Sequence, residues 1–193
     1  MEKIDAAATA IRDGQLVVYP TETVYGLGAD AFSPSAIERV YALKQRSREN
    51  PLSVAIPSID SIDTVARPTA RSRDFIESFL PGPITVICER APQLPAMVTA
   101  NSLRVGIRIP DHPLATAFLN QSGPITATSA NISGNPSISQ IEELDPAIES
   151  EVSVILDGGK TTGSASTVVD IDNRVIHRRG PKAQAIEAWL ESN

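Results

Sequence analysis

SPSAIERVYALKQRSRENPLSVAI, residues 33–56, reads as a helix, a cationic turn and a strand in succession. Ser33 supplies a capping oxygen, and Pro34 fits the first helical position, where no N–H is needed. Ile37, Val40 and Tyr41 recur at helical spacing and mark the inner stripe of a helix over 34–45. Lys44 continues that stripe, so it leaves the helix end pointing toward the protein body. A lysine there needs a partner, because an unpaired buried charge is expensive. The apolar run 52–56 follows as a strand.

The same alternation extends in both directions. Apolar, β-branched runs at 16–19, 84–89, 103–109, 124–128, 152–157, 166–171 and 174–178 read as strands. Helical patterns cover roughly 3–12, 58–66, 69–80, 113–121, 139–144 and 182–191. Strands interspersed with helices predict an α/β fold, a mixed sheet with flanking helices. The Asp172-Asn173 turn between two strand runs predicts an antiparallel hairpin near the end. The chain has 193 residues and no stretch resembling a long linker, which suits a single domain.

Composition narrows the function classes. Aromatics are 4% of the chain, so the core must rest on Val, Ile, Leu and Ala. The one cysteine, Cys88, excludes an internal disulfide and lies in an apolar run as a small buried hydrophobe. Charges are scattered through the first 14 residues, which lack the uninterrupted apolar stretch of a secretory leader, so none is expected there. No run approaches a membrane span, so the expected location is cytoplasmic, without membrane association. The net charge of −6 argues against the broad basic face of a protein that wraps nucleic acid.

Five segments could carry chemistry. PTETVYGLG (20–28) brings two threonine hydroxyls, a carboxylate and two glycines to a strand end. Lys44-Gln-Arg46-Ser-Arg48 places three cations within five residues, and lysine and arginine both suit phosphate oxygens. A solvated helix end explains Arg48 but not Lys44. TATSANISG (126–134) ends a strand in small hydrogen-bonding residues, where open α/β sheets bind ligands. DGGKTTGSAS (157–166) imitates a phosphate-binding P-loop at Gly159-Lys160-Thr161. That motif requires a glycine at 154, where Val stands, and a following helix, where STVVDI reads as a strand, so it is rejected. Arg178-Arg179-Gly180-Pro181 reads as a cationic turn. His112 and His177 are far apart and lack cysteine partners, so no protein metal site is expected. By generic spacing alone, each segment points only weakly to a site, and ordinary turns explain 20–28 and 126–134 better.

Their combination and order are not generic. The chain resembles the YrdC-like family of threonylcarbamoyl-adenylate synthases through PTETVYGLGADA, KQRSRENPL, PGPIT, RIPDHPLA, TSANISG, DGG, STVVD and RRG, which span nearly the whole sequence. The family's Lys-x-Arg and Ser-x-Asn pattern stands here as Lys44/Arg46 and Ser129/Asn131. The resemblance implies a twisted mixed sheet with a large concave cavity. It also implies the synthesis of threonylcarbamoyl-AMP and pyrophosphate from L-threonine, bicarbonate and ATP. ATP is expected to come with Mg2+, and the product to pass to a tRNA threonylcarbamoyl-transferase complex, with direct tRNA binding weak or absent. Lys44, Arg46, Ser129 and Asn131 are the implied catalytic residues. Lys44, Arg46, Asn50, Asn131, Ser139 and Arg179 are expected along the nucleotide. Thr23, Arg108, Ser129 and Ser166 are expected around threonine, with the Arg108 fork on its carboxylate. Because the sequence ends soon after RRG, the likeness is to the short form, one catalytic domain over 1–193 without a C-terminal extension.

Several positions depart from the family pattern. Ser47 replaces a frequent Pro, Ala55 a His expected to help hold threonine, Thr128 a Pro and Ala165 a Glu. His177-Arg-Arg-Gly-Pro stands where Leu-Arg-Pro-Gly is common, which leaves the two arginines open to alignment by one residue. The alternatives to a synthase are an RNA-binding module and a paralogue of the same fold with weak or different nucleotide activity.

Overall fold

The computed structural model describes residues 1–193. Six α-helices are present: α1 (Glu2–Arg12), α2 (Pro34–Leu43), α3 (Ala70–Phe79), α4 (Pro113–Ser122), α5 (Pro146–Glu149) and α6 (Ala183–Ser192). The ten strands are β1 (Val17–Tyr19), β2 (Gly26–Gly28), β3 (Ser53–Ala55), β4 (Ala66–Arg67), β5 (Ile84–Arg90), β6 (Arg104–Arg108), β7 (Ile125–Ser129), β8 (Val154–Ile155), β9 (Thr167–Asp170) and β10 (Val175–Arg178). They form one mixed sheet in the order β10-β9-β5-β6-β3-β7-β2-β1-β8, with β4 beside β5. The pairs β1/β8, β3/β6 and β5/β9 are parallel. The expected hairpin is β9/β10, with Val175 opposite Asp170.

The opening segment folds as its residues dictate. Ser33 Oγ accepts the Ala36 N–H at 3.3 Å, and Ile37, Val40 and Tyr41 are buried. The helix stops two residues earlier than its pattern suggests, because Gln45 adopts φ 50°. The Arg46 N–H then returns to the Tyr41 carbonyl and the Gln45 N–H to the Ala42 carbonyl, satisfying the last turn as a Schellman motif does. This cap sends the Lys44 side chain inward and Arg46 toward the open face of the sheet.

That sheet has two unlike faces. On one, Val18, Leu27, Val54, Val86, Val105, Ile107 and Val169 pack against α2, α3 and α6 in the main core. On the other, α1 and α4 cover Val17, Tyr19, Ala55, Ile125 and Leu156, with Val154 and Ala127 partly buried beside them. Side chains alternate along a strand, so Ser53 and Gly106 share this second face beyond the end of those helices. The uncovered part becomes a cavity.

Some elements differ from expectation. The patterns at 58–66 and 139–144 resolve into short 3-10 turns, Ile59–Thr64 and Ile141–Glu143. Gly26-Leu-Gly28, read as a loop, is a central strand between β1 and β7. Its glycines are required there: a Cβ on Gly26 would lie 2.9 Å from the Tyr19 ring, and one on Gly28 would lie 2.7 Å from Ile125 Cδ1. Cys88 is buried, and its apolar surroundings push the thiol pKa up to about 12, as expected of an inert core residue.

Candidate active site

The cavity on the open face encloses about 530 Å³. Small residues on neighbouring strands, among them Ser53, Thr85, Gly106 and Ala127, line its floor. The floor is already tight. A Cβ on Gly106 would sit 2.7 Å from Ser53 Oγ and 2.8 Å from Thr85 Cγ2. A ligand there lies directly over backbone.

Four arginines, Arg46, Arg104, Arg108 and Arg178, face this space, in a chain whose net charge is −6. Their partners differ. Arg104 bonds the carboxylates of Asp170 (2.7 Å) and Asp172 (3.3 Å). Arg108 bonds Glu22 at 2.7 Å and donates to Thr23 Oγ1 at 3.0 Å, while its buried Nε has no acceptor. Arg46 and Arg178 donate only to neutral oxygens. Arg46 holds the Asn50 and Pro51 carbonyls at 3.1 and 2.9 Å. Arg178 holds the carbonyl of Ser166 at 2.8 Å and its hydroxyl at 3.0 Å. Burial lowers the pKa of both, and the charge of Arg108 adds to the effect at Arg178. Two cations without counter-ions in one cavity make a site for a polyanion.

Lys44 plays a different part from the expected one. Its side chain is buried, with the residue 1% exposed, and its ammonium donates to the carbonyl oxygens of Ser129 and Asn131. Its own carbonyl accepts the Ser133 N–H at 2.8 Å. The partner foreseen for this buried lysine is therefore a pair of backbone dipoles, and the ammonium does not reach the cavity surface. Burial and then the Arg46 charge lower its pKa from 10.5 to about 7. Asn131 braces the same loop, donating to the Ile132 and Asn135 carbonyls at 2.9 and 2.8 Å, with its buried Oδ1 unpartnered. The paired motifs thus meet in space: one shapes the loop of the other. Ser129, at the end of β7, lines the cavity.

Around Arg108, Thr21 ties the PTETVYG loop by accepting the N–H groups of Thr23 and Val24 and sharing a 2.8 Å bond with Thr23 Oγ1. Thr23 is buried and reaches the site through Arg108. Ser166 lines the cavity and bonds Thr85 Oγ1 at 3.0 Å. The segment after Asp157 is strapped across this loop. Thr162 Oγ1 donates to the Glu22 carbonyl at 3.0 Å and the Gly163 N–H to the Thr23 carbonyl at 2.8 Å. It runs on into strand β9, so the P-loop look-alike is indeed not one.

Three expected nucleotide residues lie elsewhere. Arg179 is 60% exposed at its side chain and bonds Glu187 on α6, so the arginine facing the cavity is Arg178. The register of β10 shifts between Ile176 and Arg178, and this bulge lets the consecutive residues His177 and Arg178 both line the cavity. Ser139 binds the Glu143 carboxylate through its N–H and hydroxyl, and Ser137 lines the cavity instead. Asn50 has an exposed side chain and contributes its carbonyl, which Arg46 and the Tyr41 hydroxyl share. Sequence reasoning did not single out Thr85, Arg104 and Asp170. Strand alternation held the signal for Arg104, which shares a face with Gly106 and Arg108. Ala55, where the family often has histidine, is buried beneath α1 and α4.

A family model described as "Telomere recombination", that of the Sua5, YciO and YrdC proteins, matches residues 9–180. The chain belongs to the Sua5/YciO/YrdC family. It is 40% identical over 171 residues to the threonylcarbamoyl-AMP synthase of Bacillus subtilis (strain 168), covering 86% of this chain and 49% of that protein. The crystal structure of P. abyssi Sua5 complexed with L-threonine matches with a TM-score of 0.86 at 36% identity, over 92% of this chain and 54% of that one. E. coli YciO matches with a TM-score of 0.84 at 26% identity, over 92% and 89%. The chain spans about half the length of the curated relatives it matches first. The mixed sheet and its flanking helices are thus the YrdC fold.

Proposed function

We propose that this chain is an L-threonylcarbamoyladenylate synthase, joining L-threonine, bicarbonate and ATP into threonylcarbamoyl-AMP with release of pyrophosphate. The observation that carries the reading is the pairing of two uncompensated guanidinium groups, Arg46 and Arg178, with Arg108 and Ser166 in one cavity, where Thr23 fixes the Arg108 fork from behind. The first set suits a triphosphate. The second suits an amino-acid carboxylate, which the Arg108 guanidinium lining the cavity can bind. The names of the Bacillus and Pyrococcus relatives and the threonine bound to the Pyrococcus protein agree with this division.

The chemistry needs no protein nucleophile. The threonine amine attacks the bicarbonate carbon, water leaves, and the carbamate oxygen displaces pyrophosphate from the α-phosphorus. Fixed cations stabilise the charge that gathers on the phosphates, and the floor holds the reactants together. Mg2+ enters as part of the substrate, on the triphosphate oxygens. No group of three His, Cys, Asp or Glu side chains is placed to hold a metal, and Asp170, which lines the cavity, is engaged by Arg104 and Asn173. The product passes to a transferase complex acting on tRNA, and the acidic chain itself does not bind tRNA strongly. No helix is long and apolar enough to cross a membrane, and the proposed location is the cytoplasm.

Pyrophosphate release should require L-threonine, bicarbonate, ATP and Mg2+ together. Release at an unchanged rate without threonine would sink the proposed reaction.

A further inference from the structure

Glu22 is a carboxylate that does not line the cavity itself but pairs with Arg108, an arginine of a site built for anions. Its Oε1 lies 2.7 Å from Arg108 NH2, and its Oε2 accepts the Asp111 N–H at 3.1 Å. The pair is largely buried, with side chains 11% and 16% exposed. Two anchors fix the carboxylate, so it holds one edge of the guanidinium while the buried Nε stays unpartnered.

The charge consequences are specific. Arg108 lies close enough to Arg178 to lower that residue's pKa. Without Glu22, the two would form a continuous cationic surface with Arg46, and a phosphate could occupy any part of it. With Glu22, Arg108 keeps its donors but the pair has no net charge. A bare anion gains hydrogen bonds there but little Coulomb attraction and meets a nearby carboxylate. A zwitterion with an anionic and a cationic end meets both charges favourably.

We propose that Glu22 sets the charge selectivity of the amino-acid subsite, making the Arg108 position electroneutral so that it takes a zwitterionic amino acid and rejects phosphate and simple carboxylates. Glu22 is a positioning residue acting through Arg108. The inference rests on the proposed synthase reading, because it takes the Arg108 end as the threonine subsite.

Calorimetric binding of three probes to the whole chain tests it: L-threonine, 3-hydroxybutyrate (which keeps the carboxylate and hydroxyl but lacks the amine) and inorganic phosphate. The wild-type chain should prefer threonine over hydroxybutyrate. Glu22→Gln should shrink that preference about tenfold, the scale of one lost charge contact in a partly buried site, and phosphate should begin to compete with threonine. Glu22→Asp, which keeps the charge, should retain most of the preference. Equal loss of preference in both variants would mark Glu22 as a structural residue and overturn the proposal, as would an unchanged preference in Glu22→Gln. Failure of the wild-type chain to bind threonine at all would overturn the synthase reading and, with it, this one.

Discussion

The Nζ of Lys44 lies 2.5 Å from the carbonyl oxygen of Asn131 and bonds that of Ser129 as well. No carboxylate shares the site, so the charge rests on two backbone dipoles. Its pKa falls to about 7 in the fold against 10.5 outside it. Between those values the unfolded chain binds more protons than the folded one, so stability rises with pH across this window. Below about 7 both states carry the proton, and the cost of burying the charge is felt in full. Melting temperatures measured from pH 7.5 to 8.5 should therefore climb in the wild-type chain and climb less in Lys44→Met. Parallel profiles would show that Lys44 does not titrate in this range. Lys44→Ala should remain folded yet lose pyrophosphate release, because the Ser129–Asn131 loop loses its brace. Near-normal turnover in that variant would remove Lys44 from the working of the site.

The two consecutive arginines near the C-terminus separate cleanly. Arg178 faces the cavity and binds Ser166, whereas Arg179 pairs with Glu187 in solvent. Charge-assisted contacts to a phosphate are worth about 1.5–3 kcal/mol, so Arg178→Ala should raise the KM for ATP by about tenfold or more. Exposed ion pairs contribute about 0–1 kcal/mol, so Arg179→Ala should leave ATP kinetics near the wild-type values. Steady-state kinetics on the pair decides the assignment, and the reverse ranking would return the nucleotide role to Arg179.

Strands such as Ile84–Arg90 and Arg104–Arg108 were legible because their β-branched runs are long and bounded by turn residues. Gly26–Gly28 was not, because it pairs through its backbone and its glycines reflect crowding by Tyr19 and Ile125, which only the folded chain reveals. Likewise, Lys44 could be seen as buried from its place on the apolar stripe, but its carbonyl partners lie 85 and 87 residues away. The Arg178 assignment depended on a bulge in β10, and a bulge has no residue signature here. Residues joined by a regular period were found. Those placed by register or by a cap at Gln45 were not.

The strap from Asp157 to Gly163 rests on Tyr25. The Tyr25 hydroxyl lies 2.7 Å from the Gly159 carbonyl and 3.0 Å from the Asp157 carboxylate, and it accepts the Gly158 N–H at 3.1 Å. Burial raises its pKa, so it remains a donor at neutral pH. Tyr25→Phe keeps the ring in the core and removes only the hydroxyl. The strap then keeps its ties to Thr23 and Ser139 at its far end but loses them at Gly158 and Gly159. One such hydrogen bond is worth about 1 kcal/mol, so local opening should become about fivefold easier. Amide hydrogen exchange at Gly158 and Gly159 should quicken by that factor, while exchange at Gly163 changes little. Uniform acceleration along the whole strap would mean that it opens as one piece, and no change would mean that Tyr25 does not hold it.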